Sequence, residues 1–573
     1  MRRITLFASA ALLACGISAQ AADLGTPNEW PYPMEGEPAR SAHAMVSTVS
    51  PLASKIGVDI LKRGGNAVDA AVAIGFVLAV TWPEAGNIGG GGLMMIRDPE
   101  GGLEGLDYRE TAPAEARHDM FMGPQADGEE RSLHGHLAVG TPGTVRGFWI
   151  AHRQKGKLPW AELLKPAIAL AREGFVVDAA LARSFEDRAA LLRKNPEAAR
   201  IFLDRGKPRR AGSRLVQTEL AHTLRLIAER GPDGFYKGPV AEAIASDMAR
   251  SGGILSEGDL AAYRTRWRPP LSIRYHGYTV ATMPPPSAGG FVLLAALQMV
   301  EHDDFKRIGF HSVSMIHLLA EVERRVYADR NTYIGDPDFS AVPIGELLDS
   351  AYLARRRASI DPRRATPENS LRPGQLAEPP QTTSYVVVDR HGGAVSNTTS
   401  LNDAFGSGVV APGTGVLLNG VMNNFAIRPG TPNFYGLAQG EPNAIAPGKR
   451  MITSKAPTVV LDPKGRLFMV LGTPGGASIP ATLLQVLINV IDYGMNLKEA
   501  INAPRFRHQA LPERIEVEAG GFVPGTLKAL EEMGHHVHIA SSSIGDVKAV
   551  AVTPGAEREG YADPRRGGTS MGY

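Results

Sequence analysis

The pattern of apolar positions predicts two consecutive helices near the start of the chain. From Pro51 to Leu61, apolar residues fall at helical spacing on one face, after a serine suited to cap the helix and before a glycine pair. Residues 66–80 are apolar all round, with Asp69 as the only charge, which is typical of a buried helix packed against a sheet. A strand is predicted shortly afterwards, at 93–96.

The middle of the chain is predominantly helical in pattern. Helical periodicity covers most of 145–265 and returns from 290 to about 327, and between these stretches 271–282 predicts one strand. Repeated prolines make 335–380 a loop-rich region. The residues before about 42 are also proline-rich and predict an extended leader.

The strongest strand signal begins at Gln381. The run Thr382–Asp389 is rich in β-branched and aromatic residues, Arg390–Gly393 supplies a turn, and Ala394–Ser400 can return as the partner strand. The other predicted elements are a hairpin of 458–461 with 466–471, a helix at 479–491, and strands at 515–518, 537–540 and 547–552 that complete the β content. Such interleaving predicts an α/β (α+β) fold with two sheets between helical layers.

The first residues have the composition of a targeting segment. Arg2 and Arg3 precede the apolar stretch Ile4–Ile17, and a small-residue cleavage site ends at Ala21. Residues 1–21 are therefore predicted to be a signal peptide, and the protein to be exported, either to a bacterial periplasm or as a secreted protein. Removal of the signal peptide also removes Cys15, which excludes thiolate catalysis and disulfides in the mature chain. The alternative is a lipoprotein in which Cys15 is lipidated.

Charge and motif content exclude several other classes of function. The 61 basic and 59 acidic residues balance, so no nucleic-acid footprint is expected, and Arg209-Arg210 and Arg565-Arg566 are interpreted as charged loops. The glycines at 89–92 lack the residues of a phosphate-binding loop. His536 and His538 lack a third ligand, so no metal or other cofactor is predicted.

Several segments resemble those of the γ-glutamyltransferases, also called γ-glutamyltranspeptidases. They cover nearly the whole chain after about residue 40 and comprise Gly64–Ala73, Gly86–Gly92, Tyr108–Glu110, Pro284–Gly290, Tyr327–Phe339, the run TTSYVVVDRHGGAVSNTTSLNDAFGSG from Thr382, and the final ADPRRGGTSMGY. The resemblance implies the four-layer αββα sandwich of N-terminal-nucleophile hydrolases. It also implies self-cleavage between Gln381 and Thr382, into a large subunit of residues 22–381 and a small subunit of residues 382–573, both parts of one catalytic domain.

The chemistry expected of a threonine at the start of a chain is consistent with this cleavage. A threonine hydroxyl is a poor nucleophile until a base removes its proton, and the α-amine of a first-residue threonine can serve as that base because it titrates near neutrality. The amine exists only once the bond before it is broken. Thr383 is a competing candidate by residue type, and the family pattern selects Thr382.

The resemblance assigns roles to further residues. Gly475 and Gly476, placed just before a predicted helix, would donate backbone N–H groups to the oxyanion, and Ser400 would support the nucleophile. Arg109, whose planar fork suits a carboxylate, would bind the α-carboxylate of the substrate together with Thr453 and Ser454. Asn402 and Asn424 would lie near the α-amino group, and Tyr435 would cover the pocket as a lid.

Five positions depart from the family pattern, among them Val421, which stands where a glutamine or glutamate is frequent. Ser384, Val386 and Gly393 stand where histidine, a hydroxyl residue and asparagine are usual. Asn424 stands where an aspartate pairs with the substrate's α-ammonium group, and Lys455 adds a cation nearby. A neutral group in place of that aspartate would weaken amino-group recognition about tenfold or more.

Three hypotheses follow. The first is a self-processing γ-glutamyltransferase/hydrolase that cleaves γ-glutamyl amides such as glutathione and passes the acyl group to water, an amino acid or a peptide. The second keeps the machinery but acts on glutaryl-type amides, as a cephalosporin-like acylase, which Asn424 and Lys455 favour. The third is an uncleaved, inactive exported binding protein.

Overall fold

The computed structural model describes residue 27 and residues 29–122, 127–367, 382–430, 439–510 and 513–573. The α-helices are α1 Pro51–Lys62, α2 Ala67–Thr81, α3 Gly128–Leu133, α4 Thr144–Lys155, α5 Trp160–Glu173, α6 Ala179–Arg193, α7 Pro196–Phe202, α8 Thr218–Arg230, α9 Asp233–Tyr236, α10 Pro239–Ser251, α11 Glu257–Ala262, α12 Ala288–Val300, α13 Phe305–Ile308, α14 Val313–Tyr333, α15 Ile344–Leu347, α16 Ser350–Ala358, α17 Ser478–Ile491, α18 Leu497–Asn502 and α19 Pro524–Glu532. Short 3₁₀ helices cover His136–Ala138, Val421–Asn424 and Glu441–Asn443.

The strands are β1 Ala39–Ser41, β2 Met45–Thr48, β3 Gly91–Arg97, β4 Leu103–Tyr108, β5 Phe175–Val176, β6 Leu203–Asp204, β7 Lys207–Pro208, β8 Arg214–Leu215, β9 Arg266–Arg268, β10 Leu271–Tyr275, β11 Tyr278–Thr282, β12 Thr383–Val388, β13 Ala394–Ser400, β14 Thr458–Leu461, β15 Leu467–Gly472, β16 Phe506–Arg507, β17 Ile515–Val517, β18 Val537–Ile539, β19 Lys548–Val552, β20 Arg558–Ala562 and β21 Thr569–Gly572. Two sheets dominate. Sheet 1 has the order β1-β20-β19-β15-β14-β11-β10, and sheet 2 has the order β21-β2-β12-β13-β3-β4-β9.

The two sheets pack face to face between helical layers. A dry cluster between them joins Met95, Val386 and Val388 of sheet 2 to Val459 and Val470 of sheet 1. The outer face of sheet 2 is buried against α1, α2 and the helices that follow them, and that of sheet 1 against α12, α14 and α17. This arrangement confirms the predicted αββα sandwich.

The two predicted N-terminal helices are confirmed, together with the physical reasons for them. The side chain of Ser50 accepts from the Ala53 N–H at the start of α1, and Asn66 forms a capping box with Asp69 at the start of α2. Every residue of α2 is buried, as its uniform apolarity predicts.

The central hairpin is also confirmed, with β12 and β13 paired from Thr383 opposite Thr399 to Val388 opposite Ala394. Its neighbour β2 pairs with β12 on the other side, and the chain terminus returns as β21 beside β2. The second hairpin and the helix after it lie within a residue or two of their predicted bounds.

Some predicted elements were wrong. Residues 271–282 form a hairpin instead of one strand, because His276 and Gly277 adopt positive φ and turn the chain. The region 335–380 contains α15 and α16. The prediction that 547–552 completes the β content omitted β20 and β21, and the extended leader contains β1. These strands are three to five residues long, too short for a strong periodic signal.

Within the described ranges, no helix combines the length and apolarity needed to cross a membrane.

Candidate active site

The candidate nucleophile lies where the β12–β13 hairpin opens. Thr382 directly precedes β12 and is 6% exposed. Because Thr383 is opposite Thr399, the register places Ser400 opposite Thr382, with both side chains on the same face of sheet 2. The Ser400 hydroxyl accepts a hydrogen bond from the Asn402 N–H at 2.8 Å. The strand pairing therefore brings together two of the predicted residues, separated by a whole hairpin in sequence.

That face of the hairpin points toward sheet 1. The Ser396 hydroxyl donates to the Leu471 carbonyl at 2.8 Å, and the Ser384 hydroxyl lies against Gly472, where an added Cβ would approach it to 2.3 Å. By strand alternation, Thr382 and Ser400 face the region just beyond Gly472. Ser384 and Val386, two of the departures from the family pattern, thus lie between the sheets.

The Gly475-Gly476 turn follows Gly472 at this end of β15. Gly475 has φ +140° and Gly476 has φ +55°, and a Cβ at Gly475 would meet the Ser478 hydroxyl at 2.3 Å, so the turn requires glycine. In the part of the chain that the structure describes, neither glycine N–H donates a hydrogen bond. The turn leads directly into α17, whose N-terminal dipole favours negative charge. Two backbone donors are thus available just beyond the end of β15 that packs against the β12–β13 hairpin.

A chain of hydrogen bonds connects this end of the site to Arg109. An Arg109 N–H donates to the Asn424 side-chain oxygen, and Asn424 Nδ2 donates to Asn402 Oδ1 at 2.8 Å. Asn402 has φ +85°, a conformation that asparagine tolerates better than most residues, and its backbone N–H reaches Ser400. Four residues predicted from the resemblance thus form one continuous network.

Arg109 is fully buried at the end of β4. Its Nη1 pairs with Glu110 at 2.8 Å, and its Nε and Nη2 lie 3.4 Å from the carbonyls of Met451 and Ile452. These carbonyls immediately precede Thr453 and Ser454. The Ser454 hydroxyl is buried and has no hydrogen-bond partner in the described residues, so a free donor lies in the segment beside the guanidinium.

Backbone hydrogen bonds hold both the N–H and the carbonyl of Thr453. Its N–H donates to the Pro286 carbonyl at 3.0 Å, and its carbonyl accepts from Ala288 at 2.8 Å. The Pro284–Gly290 segment, one of the motifs that carried the resemblance, therefore fixes the Thr453-Ser454 pair. The Asn424 backbone is fixed by Asn443, whose side chain donates to the Asn424 carbonyl at 2.7 Å.

Two predicted residues, Gln381 and Tyr435, lie outside the described residues. In the described ranges, no group of three or more His, Cys, Asp or Glu residues is arranged to hold a metal ion. Burial raises the pKa of the Tyr108 and Tyr385 phenols, which pack on the helical side of sheet 2, so both stay protonated.

The pair Arg565-Arg566 lies in the loop between β20 and β21, as predicted, but both arginines are held in ion pairs. Arg565 is buried and pairs with Glu518 at 2.7 Å, and Arg566 pairs with Glu84 and donates to the Thr382 carbonyl at 3.3 Å. Both arginines belong to the final motif that carried the resemblance, and this membership was the one signal in the sequence that could have marked them. Arg566 contacts the candidate nucleophile itself.

Comparisons with known proteins agree with this geometry. A family model described as gamma-glutamyltranspeptidase matches residues 53–573. The glutathione hydrolase proenzyme of Escherichia coli (strain K12) is 47% identical over 532 residues, which cover 92% of this chain and 91% of that protein. The acylase ACY 1 proenzyme of Pseudomonas sp. (strain SE83) is 38% identical over 94% of this chain and 95% of that protein.

Among solved structures, the cephalosporin acylase from Bacillus halodurans is similar with a TM-score of 0.84 and 30% identity, over 96% of this chain and 99% of that chain. The resemblance drawn from the motifs is confirmed by both sequence and structure. The chain belongs to the γ-glutamyltranspeptidase family of N-terminal-nucleophile hydrolases.

Proposed function

We propose that the protein is an exported proenzyme that cleaves itself before Thr382 and then hydrolyses γ-glutamyl amides such as glutathione, or transfers their acyl group to an amino acid or peptide. The observation that carries the proposal is the position of Thr382, opposite Ser400 on the face of the hairpin that packs against the end of β15, just before the Gly475-Gly476 turn. Three relatives named glutathione hydrolase proenzyme are 44–47% identical to this chain.

Self-cleavage begins with attack of the Thr382 hydroxyl on the Gln381 carbonyl. The C–N bond between the two residues breaks, the acyl group moves to the threonine oxygen as an ester, and the nitrogen becomes the α-amine of Thr382. Water then hydrolyses the ester, leaving a carboxylate on Gln381. The large subunit of residues 22–381 and the small subunit of residues 382–573 remain associated because β12 is an interior strand of sheet 2.

In the mature enzyme the same hydroxyl attacks the γ-carbonyl of the substrate. The α-amine accepts the hydroxyl proton and delivers it to the departing amine, while the Gly475 and Gly476 N–H groups stabilise the oxyanion. Water or an amino acid then releases the γ-glutamyl group from Thr382. No step needs a cofactor, and Ser400 positions the nucleophile across the hairpin.

Recognition of the acyl group falls to the Arg109 network. Arg109, Thr453 and Ser454 would bind the α-carboxylate, and Asn402 and Asn424 would lie at the α-amino group. The buried Ser454 hydroxyl has no partner among the described residues and could donate a hydrogen bond to the substrate carboxylate. Tyr435, which is not among the described residues, would cover the pocket as a lid.

A glutaryl-type acylase is the second candidate. Asn424 favours it, because an amide cannot form the ion pair that an aspartate makes with an α-ammonium group. Relatives named as acylases match nearly the whole chain. The two candidates share every step of bond making and differ only in the group that would lie against Asn402 and Asn424.

Turnover of two anilides, measured in separate assays, distinguishes the two candidates. Purified protein is first run on a denaturing gel and then assayed with equal concentrations of γ-glutamyl anilide and glutaryl anilide. Two chains and faster release from the γ-glutamyl substrate support the proposal, and faster release from the glutaryl substrate supports the acylase. A single chain with no release would instead support the inactive binding protein.

A further inference from the structure

An ion pair contributed by distant parts of the chain holds the backbone of the candidate nucleophile. Glu84 lies in the connection between α2 and β3, and Arg566 lies in the loop between β20 and β21. The Arg566 guanidinium pairs with Glu84 and donates a hydrogen bond from Nη1 to the Thr382 carbonyl at 3.3 Å. The Glu84 side chain is 5% exposed and the Arg566 side chain 20%, so the pair is largely shielded from water.

Glu84 is itself fixed on two sides. The Ser184 hydroxyl donates to its carboxylate, and its backbone carbonyl accepts from the Phe405 N–H at 2.9 Å. These contacts leave the carboxylate directed at Arg566. A cation held in this way lies next to Thr382 whether or not the chain has been cleaved.

Other charges near Arg566 are paired among themselves. Asp546 and Lys548 face Arg566 from the start of β19 and form an ion pair with each other. Asp563 and Arg565, next to Arg566 in sequence, pair with each other at 3.2 Å. Asp546 also interacts electrostatically with Arg566, so the Thr382–Arg566–Glu84 contact lies at the edge of a larger charge network.

We propose that Arg566 is a positioning residue for Thr382, and that Arg566 and Glu84 together set the charge felt by the α-amine that acts as base. The proposal rests on the function proposed above. Arg566 fixes the Thr382 peptide and hence the direction of its amine and hydroxyl. Its positive charge disfavours the ammonium form of the amine, and the negative charge of Glu84 opposes that effect.

Opposite changes follow from removing the two charges. Without Arg566, Glu84 remains as an uncompensated anion, so the pKa of the amine rises. Without Glu84, the positive charge of Arg566 is less compensated, so the pKa of the amine falls. A unit charge ~5 Å away shifts a pKa by about half a unit in water and by more where water is excluded, and a shift of that size is measurable on the acidic limb of a kcat/KM profile.

The experiment compares Arg566→Gln, Arg566→Lys and Glu84→Gln with the wild-type protein. Arg40→Gln is the matched control, because Arg40 forms an exposed ion pair with Glu559 across the same two subunits, and neither residue contacts Thr382. For each protein the cleaved fraction and the pH profile of γ-glutamyl anilide turnover are measured. Wild-type turnover tests the proposed function separately from the variants.

The expected result is a rise of about half a pH unit in the acidic limb for Arg566→Gln and a fall of similar size for Glu84→Gln. Arg566→Gln should lower kcat about tenfold or more with little change in KM, Arg566→Lys should recover part of kcat with a near-normal limb, and Arg40→Gln should match the wild-type protein. Shifts in the same direction, or unshifted limbs with wild-type kcat, would overturn the proposal. If Arg566→Gln does not cleave itself, Glu84→Gln decides, and an unshifted limb in that variant overturns the proposal.

Discussion

The two ends of the candidate site are built in different ways. At the nucleophile end, Thr382 and Ser400 occupy opposed positions at the end of a hairpin inside sheet 2, and the glycine turn continues a strand of sheet 1. At the recognition end, Asn402 lies in a loop and Asn424 ends a 3₁₀ helix. Side-chain hydrogen bonds join Asn402 to Asn424 and Asn424 to Arg109. Strand pairing fixes the first end, whereas the second depends on a few exchangeable side chains.

This difference explains where the sequence departs from the family pattern. The departures at Ser384 and Val386 lie between the sheets, where packing is the main requirement. Asn424 is the departure that lies within the site network, at the recognition end. The chemistry is therefore expected to follow the family, while the choice of acyl group depends on local changes.

The largest expected effect is at the nucleophile. Thr382→Ala removes the attacking hydroxyl, so we expect an uncleaved chain and a loss of turnover of about 10³-fold or more. Thr382→Ser keeps a hydroxyl and is the matched control, which should cleave itself and retain activity. A denaturing gel and anilide release check both. Cleavage of Thr382→Ala at the same bond would move the nucleophile to another residue, with Thr383 the first to test.

The next largest effect is at Arg109. Arg109→Lys keeps the charge but loses the planar fork, and it leaves the buried Glu110 with a poorer partner. We expect kcat/KM for γ-glutamyl anilide to fall about 100-fold, mainly through a higher KM, while self-cleavage continues because it needs no α-carboxylate. Unchanged KM in a folded, cleaved variant would remove Arg109 from substrate binding.

A smaller effect is expected at Asn424. Asn424→Asp restores a carboxylate at the position that separates the two candidate substrates, so γ-glutamyl turnover should rise relative to glutaryl turnover by about tenfold. The ratio of the two anilides serves as an internal control, since a general loss of stability would lower both. An unchanged ratio would show that another group recognises the α-amine.

The smallest expected effect is on stability far from the nucleophile. Burial raises the pKa of Glu323 to about 8, although the His508 N–H and Arg507 oppose the shift. The unfolded chain therefore releases this proton near pH 4.5 and the folded chain only near pH 8, so the stabilising contribution is complete below about pH 4.5 and is lost as pH rises toward 8. Glu323→Gln should raise Tm at pH 8.5 by roughly 2 °C or more and change it little at pH 5.

Glu321 on the same helix provides the control for this prediction. Burial would raise the pKa of Glu321, but Arg324, Thr366 and Arg325 outweigh it and lower the pKa to about 2. Glu321→Gln should therefore lower Tm at neutral pH, because it breaks ion pairs that are present above about pH 4.5 and lost toward pH 2. Equal effects of the two substitutions on Tm would contradict the assignment of Glu323 as a protonated carboxyl.

Much of the fold could be predicted from the sequence because its signals are local. The cap at Ser50, the uniform apolarity of α2 and the β-branched run of β12 each lie within one element. The strand β2, next to the nucleophile strand, and β21, on the far side of β2, are short, and what stabilises them is pairing between chain segments far apart in sequence. The local periodicity of the sequence does not predict such long-range pairing.

The candidate site divides in the same way. Motif resemblance located Thr382, the glycine turn and Arg109, and the structure shows how one network joins Arg109 to Ser400. The contact from Arg566 to Thr382 and Glu84 joins residues hundreds of positions apart, and an adjacent pair of arginines is locally indistinguishable from a solvated loop. Its partners appear only in three dimensions.

The most direct test of the central claim is an intact-mass spectrum of the purified protein before and after brief incubation with a γ-glutamyl anilide. The account predicts two chains, the smaller beginning at Thr382, and a γ-glutamyl mass added to that chain at Thr382 while substrate lasts. A single uncut chain, or an adduct that maps to any other residue, would contradict it.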